Sequence, residues 1–197
     1  SWRPGKLFDT VNRALTIFVN KSAKEKAIFT TSYQKWNADS RDLLFTNLNY
    51  TYLSQYPDFW KAKISDKIEN QILAKFIIIK TSVNKFIEGK KEHNRVYYRT
   101  DGGLYWKIFT DFPPKFVVND KEGHSTRETW VSCYDKITIN SLIACLSSDL
   151  FWWWYTVTSN CRHLNPYDIY NFPISESALY DSQLIKLGKE YLVDIEK

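Results

Sequence analysis

The sequence predicts an α+β protein, and three observations carry the prediction. The middle of the chain holds short β-rich runs at residues 96 to 99, 104 to 108, 115 to 118 and 129 to 133. Asp101-Gly-Gly103, Pro113-Pro114 and Asn119-Asp-Lys-Glu-Gly123 punctuate them as turns. Apolar residues recur at spacings of three and four both before and after this block, which is helical periodicity. That order of elements predicts a short-stranded, twisted, mixed sheet with flanking helices.

Taken in order, residues 15 to 19 and 27 to 31 read as an antiparallel pair joined by the polar stretch 20 to 26. From 58 to about 77, Phe59, Ile64, Ile68, Ile72, Leu73 and Phe76 share one helical face, or else Ser65 caps a shorter helix. A loop at 88 to 92 leads into the strand block. Asn140 or Ser141 then opens the strongest helix, with Leu142, Ile143, Leu146, Leu150, Trp153 and Trp154 as its apolar face to about Thr156. Asn165 before Pro166 reads as an N-cap with proline at the first helical position. Leu184, Leu187, Tyr191, Leu192 and Ile195 mark a terminal helix from 180 to 195 whose apolar stripe needs a partner.

Composition sets the class. A chain of 197 residues, 44% hydrophobic and 17% aromatic, buries one substantial core, or one core and a small appendage, and is not a disordered sequence. No apolar run reaches the roughly 18 residues of a bilayer span, and no basic, apolar leader opens the chain, so a cytoplasmic protein without membrane contact is expected. Cys133, Cys145 and Cys161 are odd in number and widely spaced, which argues for buried thiols rather than a disulfide framework. The absence of methionine suggests that Ser1 lies inside a longer protein.

Charge is unevenly spread within the net +5. Residues 61 to 99 hold ten Lys/Arg against four Asp/Glu, a balance of +6, while 164 to 197 hold three against six, a balance of −3. The basic stretch suits an anionic partner such as nucleic acid. Equally, Lys61, Lys63, Lys67 and Lys75 are what the solvated face of a helix requires.

No catalytic constellation stands out. A glycine-rich turn for a nucleotide-like cofactor is absent, since none of the six glycines form a Gly-x-Gly. Phe112-Pro-Pro-Lys115 and Asn165-Pro-Tyr167 each have only part of an Asn/Asp-Pro-Pro-Tyr/Phe loop and read as turns or helix starts. Cys145, Cys161 and His163, or His93 and His124, lack the paired spacings of a zinc site, and Asp111, Asp120 and Glu122 fall in expected loops.

Residues that suit DNA fall in three segments. Arg99, Thr100, Tyr105 and Lys107 surround the Asp101-Gly-Gly103 turn and offer cations, a hydroxyl and an aromatic at what reads as a hairpin tip. Ser125, Thr126 and Arg127 close the loop 121 to 127, and Thr158, Ser159, Asn160 and Arg162 form a polar turn able to donate to phosphate. Each has a plainer reading as a surface hairpin, a loop or a structural connection. Trp152-Trp-Trp-Tyr155 offers stacking faces, but at helical spacing it serves a core equally well.

The runs Arg95-Val-Tyr-Tyr-Arg-Thr-Asp-Gly-Gly-Leu-Tyr-Trp-Lys107, Asp149-Leu-Phe-Trp-Trp-Trp-Tyr-Thr-Val-Thr-Ser-Asn-Cys-Arg162 and Leu164-Asn-Pro-Tyr-Asp-Ile-Tyr-Asn-Phe-Pro-Ile174 together resemble one family. It is the target-recognition region, of the TaqI-like specificity type, of adenine-specific DNA methyltransferases from restriction-modification systems. The resemblance covers most of the chain, loosely over 40 to 90 and closely over 95 to 174. It implies an α+β recognition-domain fold. Residues 1 to 36 would end a methyltransferase domain, 37 to 175 form the target-recognition domain, and 176 to 197 a C-terminal helix. It implies double-stranded DNA and the methyltransferase domain of the same chain as partners. S-adenosylmethionine is then expected in the full-length protein, with no cofactor and no enzymatic activity in these residues. Two other readings stay open: a protein-interaction module docking through the Trp-rich face and terminal helix, and an RNA-binding domain of an RNA-modifying enzyme.

Overall fold

The computed structural model describes residues 19, 27 to 34, 39 to 46, 48 to 53, 61 to 101, 108 to 123 and 125 to 196. The chain is mixed α+β and divides into two compact units, Ser1–Ile77 with Thr156–Asn160, and Ile78–Tyr155 with Cys161–Lys197.

In the first unit, β1 (Phe29–Thr30) pairs antiparallel with β2 (Thr51–Tyr52), Phe29 opposite Tyr52 and Thr30 opposite Thr51. The partner strand expected at 15 to 19 lies outside the described residues except for Val19. Helix α1 is Lys67–Ile78, so the shorter of the two expected helices is the one formed. Residues 61 to 65 are committed elsewhere: Lys63 N–H donates to Val157 O at 2.9 Å, and the Thr30 hydroxyl donates to Ile64 O at 3.3 Å. The cap is Asp66, whose Oδ1 accepts Glu69 N–H at 2.8 Å, while Glu69 Oε2 accepts Ser65 N–H at 2.7 Å. Leu73 and Phe76 form the buried stripe, but Ile68, expected on it, is 67% exposed.

The second unit is built on a three-stranded sheet with β3 (Arg95–Arg99) central between β4 (Phe109–Thr110) and β7 (Glu128–Ser132). β5 (Phe116–Val118) and β6 (Lys121–Gly123) form a separate hairpin. The expected mixed sheet is not found: every strand pair among the described residues is antiparallel. A parallel pair needs a long crossover, and β3 to β4 and β5 to β6 are joined by connections too short for one. Residues 121 to 123, read as loop, are strand because the turn is confined to Asn119 and Asp120, at φ 52° and 59°. Two successive left-handed residues are the signature of a type I′ hairpin turn, and Asn and Asp tolerate that conformation. Of the strand expected over 104 to 108, residues 104 to 107 lie outside the described residues and Ile108 is not in a strand, while β4 covers Phe109–Thr110.

One face of the sheet is core. Val96, Tyr98, Phe109 and Val131 are at most 1% exposed, and Phe109 meets Phe151 edge-on at 5.7 Å. Phe151 in turn meets Phe172 at 5.2 Å. The single helix expected from 140 is two: α2 (Thr138–Leu146) and α3 (Asp149–Thr158). Serine side chains that bond to nearby backbone compete with a continuing helix. Here Ser148 Oγ donates to Cys145 O at 2.6 Å and accepts Phe151 N–H at 3.3 Å, closing one helix and opening the next. The new phase leaves Leu150, expected in the apolar face, 48% exposed. Trp154 and Tyr155 are buried, whereas Trp152 and Trp153 are half-buried.

Asn165 caps α4 (Pro166–Tyr170) as expected, and the Asp168 carboxylate accepts Asn165 N–H at 2.8 Å. The expected terminal helix is preceded by a short α5 (Glu176–Leu179) and starts at Ser182, because Asp181 Oδ1 accepts the N–H groups of Gln183 and Leu184, both at 2.9 Å. This helix, α6 (Ser182–Ile195), packs on α2 through Gly188 and Leu192, while Leu187 is 54% exposed. All three cysteines are free thiols, and among the described residues no helix is long and apolar enough to cross a membrane.

Candidate nucleic-acid interface

Side chains alternate across a strand, so the register that buries Val96 and Tyr98 puts Arg95, Tyr97 and Arg99 on the opposite face of β3. Facing them on β7 are Ser132, Trp130 and Glu128. This second face carries cations at both ends.

At one end the ring of Trp130 lies 4.9 Å from the Arg95 guanidinium, 5.3 Å from Lys90 Nζ and 6.1 Å from the Tyr97 ring. Arg95 Nη1 donates to the Tyr97 hydroxyl at 3.0 Å, and Trp130 Nε1 donates to Lys91 O at 3.0 Å. Cations held over an aromatic face lose little mobility on meeting an anion, since the ring quadrupole already holds them. Glu92 pairs with Arg95, and Glu88 approaches His93 at 2.5 Å, so acidic groups border the cluster.

At the other end three segments distant in sequence converge. Thr100 donates both its N–H and its hydroxyl to Arg127 O, each at 2.9 Å. Arg127 N–H donates to Ser125 Oγ at 3.1 Å, and Arg127 Nη1 pairs with Asp101 at 2.7 Å. The other Asp101 oxygen lies 3.8 Å from His163 Nδ1, and Leu164 N–H donates to Thr100 O at 3.1 Å. His163 is itself fixed, its carbonyl accepting from Asn165 Nδ2 at 3.2 Å and from the Tyr155 hydroxyl at 3.3 Å.

The structure thus joins Thr100, Ser125 and Arg127 directly, with Arg99 exposed at the end of β3 and Thr126 exposed beside Arg127. Arg162 is exposed next to His163. Tyr105 and Lys107 lie outside the described residues. Thr158, Ser159 and Asn160 belong to the first unit. There Ser159, expected to meet DNA, is 2% exposed and its carbonyl accepts from Lys63 Nζ, so its hydroxyl is not presented at the surface. Asn160 is exposed and Thr158 half-buried.

Asp101, His163, Lys90 and Trp130 were not among the candidate DNA-binding residues: Asp101 was read as a turn residue and His163 was weighed only with Cys145 and Cys161. Trp130 was legible as one position of a β-rich run, but the approach of His163 to Asp101 spans too long a separation to leave a local signal. On the core face, burial raises the Tyr98 hydroxyl above its ordinary range, reinforced by nearby Tyr170 and Asp168. Among the described residues no three His, Cys, Asp or Glu side chains group as metal ligands would. Compared with known proteins, the chain matches no family model, no curated protein and no solved structure.

Proposed function

We propose that the second unit is a sequence-reading module for double-stranded DNA, serving an adenine-N6 methyltransferase domain that uses S-adenosylmethionine, in a target-recognition-domain-like fold. The observation that carries this reading is the convergence of Thr100, Ser125 and Arg127, candidates from two separate segments, at one end of the sheet. Backbone hydrogen bonds hold that end rigidly, and a site that reads base edges must be held in this way. Lys90 at the other end suits a phosphate contact, which fixes register without reading sequence. The resemblance of residues 95 to 174 to methyltransferase recognition regions supports the same assignment, as do the six Lys/Arg against two Asp/Glu, a balance of +4, over the second unit's residues 78 to 99.

Selection from a random duplex library with this chain tests the reading. A short enriched motif, bound with steep salt dependence, is the expected result. No enrichment, with equal retention at low and high salt, would favour an apolar docking module, and preferential capture of RNA over duplex DNA would favour an RNA-binding domain.

A further inference from the structure

Arg127 differs from the other exposed cations beside the sheet. Its main chain is fixed at both polar atoms, the N–H on Ser125 Oγ and the carbonyl on the Thr100 N–H and hydroxyl. Its side chain leans on Asp101 through Nη1 at 2.7 Å, yet stays 56% exposed. A guanidinium has five N–H donors in a planar fork, so an acid held at one nitrogen limits where the fork points and leaves other donors for a ligand.

The carboxylate also selects the ligand. A phosphate brought to Arg127 meets the negative charge of Asp101 within the same ion pair, which offsets much of the attraction. A base edge carries no net charge, so the penalty there is smaller. The partner best matched to an oriented guanidinium fork is guanine, which presents O6 and N7 side by side in the major groove.

From this geometry we infer that Asp101 is a positioning residue that holds Arg127 as a fork for one guanine of the target duplex. The inference rests on the DNA-reading assignment above and names the base class that the site takes. Lys90, held over Trp130, keeps the phosphate role, so the two ends of the sheet divide positioning from reading.

The test is selection from a random duplex library by the unaltered chain, Asp101→Asn, Arg127→Lys and Arg127→Ala. The unaltered chain is expected to enrich a motif with guanine at one position. Asp101→Asn and Arg127→Lys should each relax that position by roughly 5- to 150-fold, leave the other positions intact, and hold affinity for unrelated duplex constant or higher. A merely structural role for Asp101 would lower binding to all sequences together. Should Asp101→Asn lose its fold by circular dichroism, Arg127→Lys, which keeps the charge, carries the same expectation. Guanine preference unchanged in the variants, or relaxation at a base other than guanine, overturns the inference while leaving the DNA-reading assignment standing. Failure of the unaltered chain to enrich any motif overturns both.

Discussion

Gly188 of α6 lies against the backbone of Asn140 in α2, so close that a Cβ at position 188 would stand 1.9 Å from the Asn140 carbonyl oxygen. Both atoms belong to helices, and neither can yield without moving its helix. Alanine favours a helix interior over glycine by about 1 kcal/mol, so an exposed Gly→Ala change stabilises. Here the clash dominates. Gly188→Ala should destabilise the chain by about 1 to 3 kcal/mol, the usual range for overpacking. Urea unfolding measures it, and an unchanged or raised midpoint would mean that the two helices separate easily.

Tyr98 is 1% exposed, and its hydroxyl has no hydrogen-bond partner among the described residues. An unsatisfied buried hydroxyl costs about 1 to 3 kcal/mol, whereas the ring fills the core beside Phe109. Tyr98→Phe is therefore expected to leave stability unchanged or raise it by up to about 2 kcal/mol, and Tyr98→Ala to lower it by roughly 3 kcal/mol or more. A clear loss of thermal stability for the phenylalanine variant would reveal a bond that the hydroxyl does make.

Burial pushes the Cys133 thiol up to about 12 and the Cys145 thiol up to about 11, from an ordinary value of 9.0. Below pH 9 both thiols are protonated in the folded and unfolded chains, so their full contribution to stability is present. As pH rises past 9 the unfolded chain ionises first and stability falls, down to about pH 11 for Cys145 and about pH 12 for Cys133. Unfolding midpoints across alkaline pH measure this, and Cys145→Ala should flatten part of the slope. At pH 8 both thiols should also react slowly with alkylating reagents until the chain unfolds, because the thiolate is the nucleophile.

Lys90→Ala removes a cation from beside Trp130 without touching the Asp101 and Arg127 pair. On the proposed function it should weaken binding to all duplexes alike and reduce the slope of log affinity against log salt by about 0.9, the value of one lost phosphate contact. Fluorescence anisotropy at several salt concentrations is the measurement. A selective loss on one motif would move Lys90 from positioning to reading.

The sequence was most legible where the determinants are local. Asn165 and Pro166 start α4, because a cap needs only residues three apart. The β-rich runs at 96 to 99 and 129 to 133 marked two strands of the central sheet. It was least legible where side chains at short range compete for the backbone, as when Ser148 divides one expected helix into two. Of the candidate site, the segments were legible and their meeting was not.

By itself the sequence determined which residues are helical or extended over much of the second unit, that the thiols are spaced too widely for a disulfide framework, and where positive charge accumulates. Only the tertiary structure decided that Thr100 grips Arg127, that Asp101 pairs with its guanidinium, and that Ser159 faces inward while Ile68 and Leu150 face out. Periodicity states that an element has an apolar face. It cannot state what covers that face, because covering is supplied by residues far away in the chain, and their position is fixed only when the whole core packs.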